Sequence, residues 1–410
     1  MNIPEHIAAI YLKNMFASSA TDIEEEKEFF KNMTQKGVKN NSILIIEPNN
    51  CHSECLPSYV KYFLQIGFNV DLFISKKNSE ENSFSKCNFS SQFRVFFFRK
   101  LYSQPEFFEY LKNYRYILLS SLTFYGGVKQ NYSYYANLLK DKYIEAYGKN
   151  NVFVINHEVD FTYETAGIEC YFKDRTFTLR PNIRKDSMSV DFPFITASYF
   201  GIFDNLQKYK KKGYAKFLCV GGVDKKNLRN FSALINTTRK LSQNYFRQFE
   251  IVYVGKPDKE FEKIVKLDNL SIKLTGRINF SDMYQYVIES DFILFNIDKN
   301  SIEYERYLNK KITGSYSLSL GFLRPGIIDS GLSKSYNLDG GSITYSSENF
   351  YEAMQNAIQM DSYDYKNLQK YLDKLNCILT KKSLINIKRF FIPEKIPHSI
   401  YNVKDYLARR

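Results

Sequence analysis

Short apolar runs, bounded by Asn, Gly or Pro and alternating with stretches of helical period, recur along this chain. Residues 42–46, SILII, have the pattern of a strand buried on both faces. Leu56, Val60, Phe63, Leu64 and Ile66 then recur near helical spacing, and Gly67 supplies a C-cap. NVDLFIS at 69–75 reads as a second strand, which completes a βαβ unit. Further runs at 94–98, 116–121 and 151–156 extend it into a largely parallel sheet.

The pattern restarts at 216 with KFLCVGG as strand and 226–241 as helix. Strands at 250–255, 272–276, 291–297 and 325–329 follow, interleaved with helices at 258–266, 281–289, 314–322 and 348–360. Before the first sheet, 4–16 and 21–36 read as helices, the second opening on Thr21, Asp22 and the acidic run Glu24 to Glu26, which suits the positive end of a helix. Between the sheets, 158–212 is irregular, with short strands FTLRP and FPFITAS and a basic linker, KYKKKG, at 208–213. Helices at 363–377 and 380–391 close the pattern, with Leu384, Ile387 and Phe391 as a buried stripe. The predicted architecture is α/β: a helical extension (1–40), two doubly wound domains (41–205 and 206–362) facing across a cleft, and C-terminal helices with a tail (363–410) packing across both.

A length of 410 residues agrees with two domains, since a single core rarely grows past about 300 residues. Hydrophobic residues at 44% and charged residues at 25% exclude a disordered or collagen-like chain. The net charge of +13 admits nucleic acid as a partner, but residues 361–410 alone carry 11 Lys or Arg against 5 Asp or Glu, so the excess is local. Six cysteines in a chain this long do not make a disulfide framework and read as reduced thiols. The N-terminal residues MNIPEHIAAIYLKNMF lack a signal-peptide pattern, and no run approaches the roughly 18 apolar residues of a spanning helix. The expected location is cytoplasmic, with peripheral contact at the inner face of a membrane.

Ligands of open α/β sheets bind beyond the carboxyl ends of the strands, so candidate chemistry is sought there. After the first strand of the second domain stand Gly221, Gly222, Lys225, Lys226 and Arg229, glycines and cations at a helix start where a diphosphate is favoured. The plain alternative is a tight turn with solvated lysines, as neither a Walker loop nor GxGxxG is present. Thr313, Gly314 and Ser315, beside Lys310 and Lys311, can cap a helix and offer N–H groups and hydroxyls to an anion, or simply cap it. In the first domain His52 and Glu54, after PNNC, fit a base with an orienting partner, the alternative being a local hydrogen bond. His157 and Glu158, with Asp160, form a second ionisable group at a strand end. Cys51 and Cys55 at C-x3-C spacing are poor support for zinc without a second pair, and no metal is expected.

Three stretches, GGVDKKNLRNF, LTGRINFSDMYQYVIESDFILFNID and KITGSYSLSLGFLRPGII, resemble in order and spacing the C-terminal half of GT-B glycosyltransferases. The resemblance covers 216–360 and reaches the first half only in outline. It implies two Rossmann-like domains with a nucleotide-sugar donor, most simply a UDP-sugar, held by the second. The diphosphate would meet Gly222, Lys226, Gly314 and Ser315, and the base would lie near Val254, Gly255, Arg277 and Ile278. It also implies that His52 acts on an acceptor hydroxyl, as a histidine in this loop does in several inverting families. The two glutamates eight residues apart that many retaining members carry are absent, Glu303 and Glu305 lying upstream. The function expected is sugar transfer to a glycan or lipid-linked acceptor in bacterial surface polysaccharide or lipooligosaccharide synthesis, metal-independent and without a cofactor, and compatible with an oligomer. The readings set against it are a sugar-nucleotide epimerase or hydrolase on the same fold, a basic nucleic-acid-binding protein and a nucleotide-binding scaffold.

Overall fold

Apolar runs flanked by polar turns fold as strands because burying both faces is the only arrangement that removes every side chain from water. β1 (Ser42–Ile46) is buried at every residue and pairs in parallel with β2 (Asn69–Ser75) and β4 (Tyr116–Leu119). With β3 (Phe93–Phe98), β5 (Val152–Asn156) and β6 (Thr176–Thr178) they form one parallel sheet in the order β3-β2-β1-β4-β5-β6. A small antiparallel pair, β7 (Ile183–Lys185) and β8 (Met188–Val190), follows. The second sheet repeats the order: β9 (Ala215–Val220), β10 (Phe249–Val254), β11 (Ile272–Gly276), β12 (Phe292–Leu294), β13 (Gly326–Asp329) and β14 (Ser342–Tyr345) stand as β11-β10-β9-β12-β13-β14, all parallel. The computed structural model describes residues 20–47, 52–98, 109–121, 151–157, 175–181, 183–185, 188–190, 192–221, 229–301, 303–346 and 349–392.

In each sheet the strand order reverses direction between the first and fourth strands, opening a crevice at their carboxyl ends. Helices cover both faces of the second sheet. Phe280–Glu289 and Gly314–Phe322 pack with Leu218, Ile293 and Ile328, while Phe231–Asn244 and Phe350–Gln359 pack on the other side with Phe217, Phe292 and Ile327.

The closing segment differs from the expected pair of helices: Ser362–Phe391 is one continuous helix of 30 residues. Its start belongs to the second domain, where Tyr365 meets Phe292 edge to face at 5.4 Å. Its end belongs to the first, where Phe391 packs against Phe63, Tyr116 and Phe153 at centroid distances of 4.9, 5.0 and 4.2 Å. The edge strand β14 and the helices Lys76–Glu80, Tyr304–Asn309 and Ser330–Tyr336 lie where no element was expected. Conversely, FPFITAS forms no strand and contributes only an isolated bridge, Thr178 to Phe194. The expected helix 4–16 lies outside the described residues.

Buried charges are matched locally. Asp71, inside β2, takes a two-pronged ion pair from Arg94 of β3 at 2.7 and 2.5 Å and a hydrogen bond from the Tyr114 hydroxyl at 2.7 Å. Arg324 is fully buried and donates to the carbonyls of Val287 (3.2 Å), Leu206 (2.5 Å), Phe322 (2.9 Å) and Ile288 (2.7 Å). The basic linker buries Lys210, whose ammonium donates to the carbonyls of Lys211 at 2.7 Å and of Tyr214, and burial pushes its pKa down to about 8. Among the described residues the cysteines, Cys55, Cys87, Cys219 and Cys377, form no disulfide.

The connection between the domains passes over Gly321, where a Cβ would stand 2.2 Å from the Ser198 carbonyl oxygen and 2.6 Å from the Phe200 ring. Alanine normally stabilises a helix interior by about 1 kcal/mol over glycine. Here the sign inverts: Gly321→Ala is expected to destabilise by about 1–3 kcal/mol in urea unfolding, and an unchanged or raised midpoint would disprove the close passage.

Candidate functional site

Loops beyond the carboxyl ends of the two sheets meet at both sides of the molecule. Past β6, the buried Arg180 guanidinium donates to the carbonyls of Tyr307 and Leu308, each at 3.1 Å, of Lys311 at 3.4 Å, and of Ser335 at 3.0 Å, as well as to the Ser335 hydroxyl at 2.7 Å. Past β2, Glu81 meets Arg277, which follows β11. The crevices of the two sheets therefore share one cleft.

On the first-domain rim, His52 and His157 come together although 105 positions separate them, with ring centroids 4.4 Å apart. His52 sits in the left-handed region (φ 66, ψ 19) at the start of the short 3-10 turn Ser53–Cys55, and its carbonyl accepts from the Cys55 amide at 3.1 Å. Such a backbone is uncommon for a residue with a side chain and turns the imidazole out of the line of the following helix. Glu54 reaches Nδ1 of His52 at 3.7 Å. His157, directly after β5, sets Nε2 at 2.9 Å from the Ser120 carbonyl oxygen. A carbonyl only accepts, so Nε2 carries the proton and Nδ1 is left with its lone pair. Although an edge of the ring reaches solvent, burial pushes its pKa well below the ordinary 6.5, and the neighbouring His52 adds to the effect.

Beneath the pair lies a residue that the sequence reading passed over. Glu47 closes β1 fully buried, accepting from the Ser120 hydroxyl at 2.8 Å and from the Ser121 hydroxyl. The signal was a carboxylate ending an otherwise apolar run, SILIIE, since an acid at the end of a strand buried on both faces must be given partners. Glu158, together with Cys51 and Asp160, lies outside the described residues.

The second rim gathers most of the other predicted positions. The Gly221 amide donates to the Val254 carbonyl at 2.9 Å, and Gly255 donates to Gly276 at 3.0 Å. Gly221 (φ 129) and Gly255 (φ 144) hold positive φ that a side chain would strain. Ile278 packs half-buried on the second-domain core. Arg229 turns back to its own sheet, donating to the carbonyls of Val220 at 2.8 Å and of Phe295. Arg277 is engaged by Glu81 at 2.5 Å. Gly222 and Lys226 lie outside the described residues.

Thr313 caps the helix Gly314–Phe322, its hydroxyl accepting from the Tyr316 amide at 3.1 Å. The space beside the Gly314 Cα is open, with nothing within 4 Å of where a Cβ would stand. The Ser315 hydroxyl is buried and has no hydrogen-bond partner among the described residues. A buried unpaired hydroxyl is costly, and a helix N-terminus is a place where an anion is favoured.

No family model and no curated protein matches the chain. Among solved structures it is similar to a proposed UDP-N-acetylglucosamine 2-epimerase from Listeria monocytogenes, at a TM-score of 0.52 and 12% identity over 88% of this chain and 98% of the other. An S. aureus MnaA–UDP co-structure (TM-score 0.49, 16% identity, 87% and 99% covered) and a glycosyltransferase from Rickettsia africae (0.48, 12%, 86% and 100%) follow. The chain has the two-domain GT-B architecture that its strand orders and the Listeria structure share.

The state of His157 has a measurable consequence. The folded ring resists protonation and the unfolded one does not, so below about pH 6.5 the unfolded chain binds more protons and stability falls, levelling off beneath the depressed folded pKa. His157→Gln is expected to flatten the fall between about pH 6.5 and 5 by up to about 1.4 kcal/mol per pH unit in urea unfolding. Parallel curves for variant and wild type would show that the ring titrates normally.

Proposed function

We propose that this protein is a glycosyltransferase that moves a sugar from a nucleoside-diphosphate donor, most simply a UDP-sugar, to a hydroxyl of a glycan or lipid-linked acceptor. The observation that carries the reading is the start of the helix Gly314–Phe322, where open space and a buried, unpartnered Ser315 hydroxyl lie on the cleft-facing rim of the second sheet. The donor diphosphate would lie there, near Gly221 and Gly222, with Lys226 adding positive charge and the base against Val254, Gly255, Arg277 and Ile278. Thr313 serves as the cap that fixes this turn.

On the opposite rim His52 is the proposed general base. The acceptor hydroxyl gives its proton to the His52 imidazole as its oxygen bonds to the anomeric carbon, and the carbon–oxygen bond to the diphosphate breaks, the electron pair leaving on the phosphate oxygen. Glu54 stabilises the imidazolium that forms, and His157 stands beside it, with Glu158 as the next residue in the sequence. Helix N–H groups and cations neutralise the leaving diphosphate, so the reading includes turnover without a divalent ion. The basic face of the closing helix, with Lys370, Lys374 and Lys381 exposed, suits an acceptor presented at an anionic membrane surface. No helix among the described residues is long and apolar enough to cross a membrane.

A fluorescence thermal-shift panel of nucleoside diphosphates is expected to show stabilisation by at least one member, as ligand binding to the folded state requires. His52→Ala is expected to lower transfer by about 10² or more while leaving that shift in place. No shift with any nucleotide removes the donor reading, and full transfer by the variant removes His52. Conversion of the donor alone to an epimer, with no acceptor present, would replace transfer by epimerisation.

A further inference from the structure

The cleft is fastened at its two ends by contacts of opposite character. At one end Arg180 is buried and held by carbonyls and a hydroxyl of the other domain, a contact largely withdrawn from water. At the other end Glu81, just after the helix Lys76–Glu80, makes three bonds at once. Its Oε1 accepts from Arg277 Nη2 at 2.5 Å, its Oε2 from the Ser53 hydroxyl at 3.1 Å, and its backbone carbonyl from the Phe280 amide at 2.8 Å. Phe280 is the first residue of the helix Phe280–Glu289, so its amide is one of those a helix leaves unpaired, and the Glu81 carbonyl takes it. Arg277 is 69% exposed and Glu81 18%, which places the pair at the rim, within reach of salt.

We propose that Glu81 is a positioning residue that closes the cleft from the Arg277 side, the Arg180 end acting as the pivot. One carboxylate fixes Arg277 where the donor base is expected and holds Ser53 directly beside His52, so the geometry of the donor rim and of the proposed base is set together. An exposed ion pair shifts such an equilibrium by no more than about fivefold, so this end releases and the buried end does not. What the closed cleft holds rests on the nucleotide-sugar reading, whereas the tie itself does not.

The test uses the full chain without ligand, by small-angle X-ray scattering and amide exchange at about 0.05 and about 0.5 M salt. The wild type is expected to open with salt, raising both its radius of gyration and the exchange of the Phe280 amide. Glu81→Gln keeps a partner for Ser53 but loses the charge, and it is expected to start open with little salt response. Exchanging the charges, Glu81→Arg with Arg277→Glu, is expected to restore the salt response. Wild type and Glu81→Gln alike in dimensions, exchange and salt response would overturn the proposal. A UDP titration separates the two readings: weaker binding by Glu81→Gln, by a few fold at low salt and not at high salt, supports the tie. A wild type that opens with salt yet binds no nucleoside diphosphate in the thermal-shift panel keeps the tie and removes the donor reading. If transfer is measurable, Glu81→Gln is expected to raise KM with little change in kcat and Glu81→Ala, which also frees Ser53, to lower kcat as well; equal effects of the two variants would remove the link to His52.

Discussion

The packing of a single helix into two separate cores governs the arrangement of this molecule. Ser362–Phe391 spans about 45 Å at 1.5 Å per residue. Tyr365 is fixed in the second domain by its hydrogen bond to the Asp291 carbonyl at 2.7 Å and by its ring against Phe292, while Ile387 and Phe391 are fixed in the aromatic core of the first. Along the way Ser383 donates to Leu379 and accepts from the Thr196 amide, and Gln369 donates to Leu206 and Leu323, so the chain between the domains is pinned to the same helix. Phe391 packs on the ring side chains of β4, β5 and β6, and its removal would open the first core where the helix is anchored.

With the rear of the molecule fixed in this way, the carboxyl edges of both sheets are brought face to face, and each edge does what its chemistry allows. The second edge is built of glycine turns, a capped helix and backbone N–H groups, suited to an anion. The first edge is built of ionisable side chains packed tightly enough to alter one another: a buried carboxylate held by two serines, and two imidazoles of which one is bound to a backbone carbonyl. Two positively charged imidazoles at this separation would repel, so His52 adds to the burial that keeps the His157 ring neutral.

Much of this was legible in the chain. The parallel strands β1, β2, β9 and β10 are apolar runs of strand length, and Thr313-Gly314-Ser315 announces a helix start in three residues. What was not legible has physical causes. β14 is an edge strand buried only at its two ends, with Thr344 exposed, so it lacks the continuous apolar run of its neighbours. The last helix keeps one buried face from Tyr365 to Phe391, and it reads as two because polar Gln369 and Ser383 interrupt the apolar stripe that would join its halves. Glu47 and Glu81 carry no motif: the first is defined by serines some 74 positions away, the second by an arginine 196 positions away. The meeting of His52 with His157 likewise follows from strand order, which sets the ends of β1 and β5 near each other across β4. Pattern gives the elements, and only their winding gives the neighbours.

The close passage at Gly321 gives the helix Gly314–Phe322 a mechanical role. This nine-residue rod, about 13 Å long, has the unpartnered Ser315 hydroxyl at one end and the interdomain connection resting on its backbone at the other. A rod without slack carries displacement along its length. Were the front of the helix drawn in, the chain that joins the domains would have to move with it, because that chain rests on the backbone of the same rod.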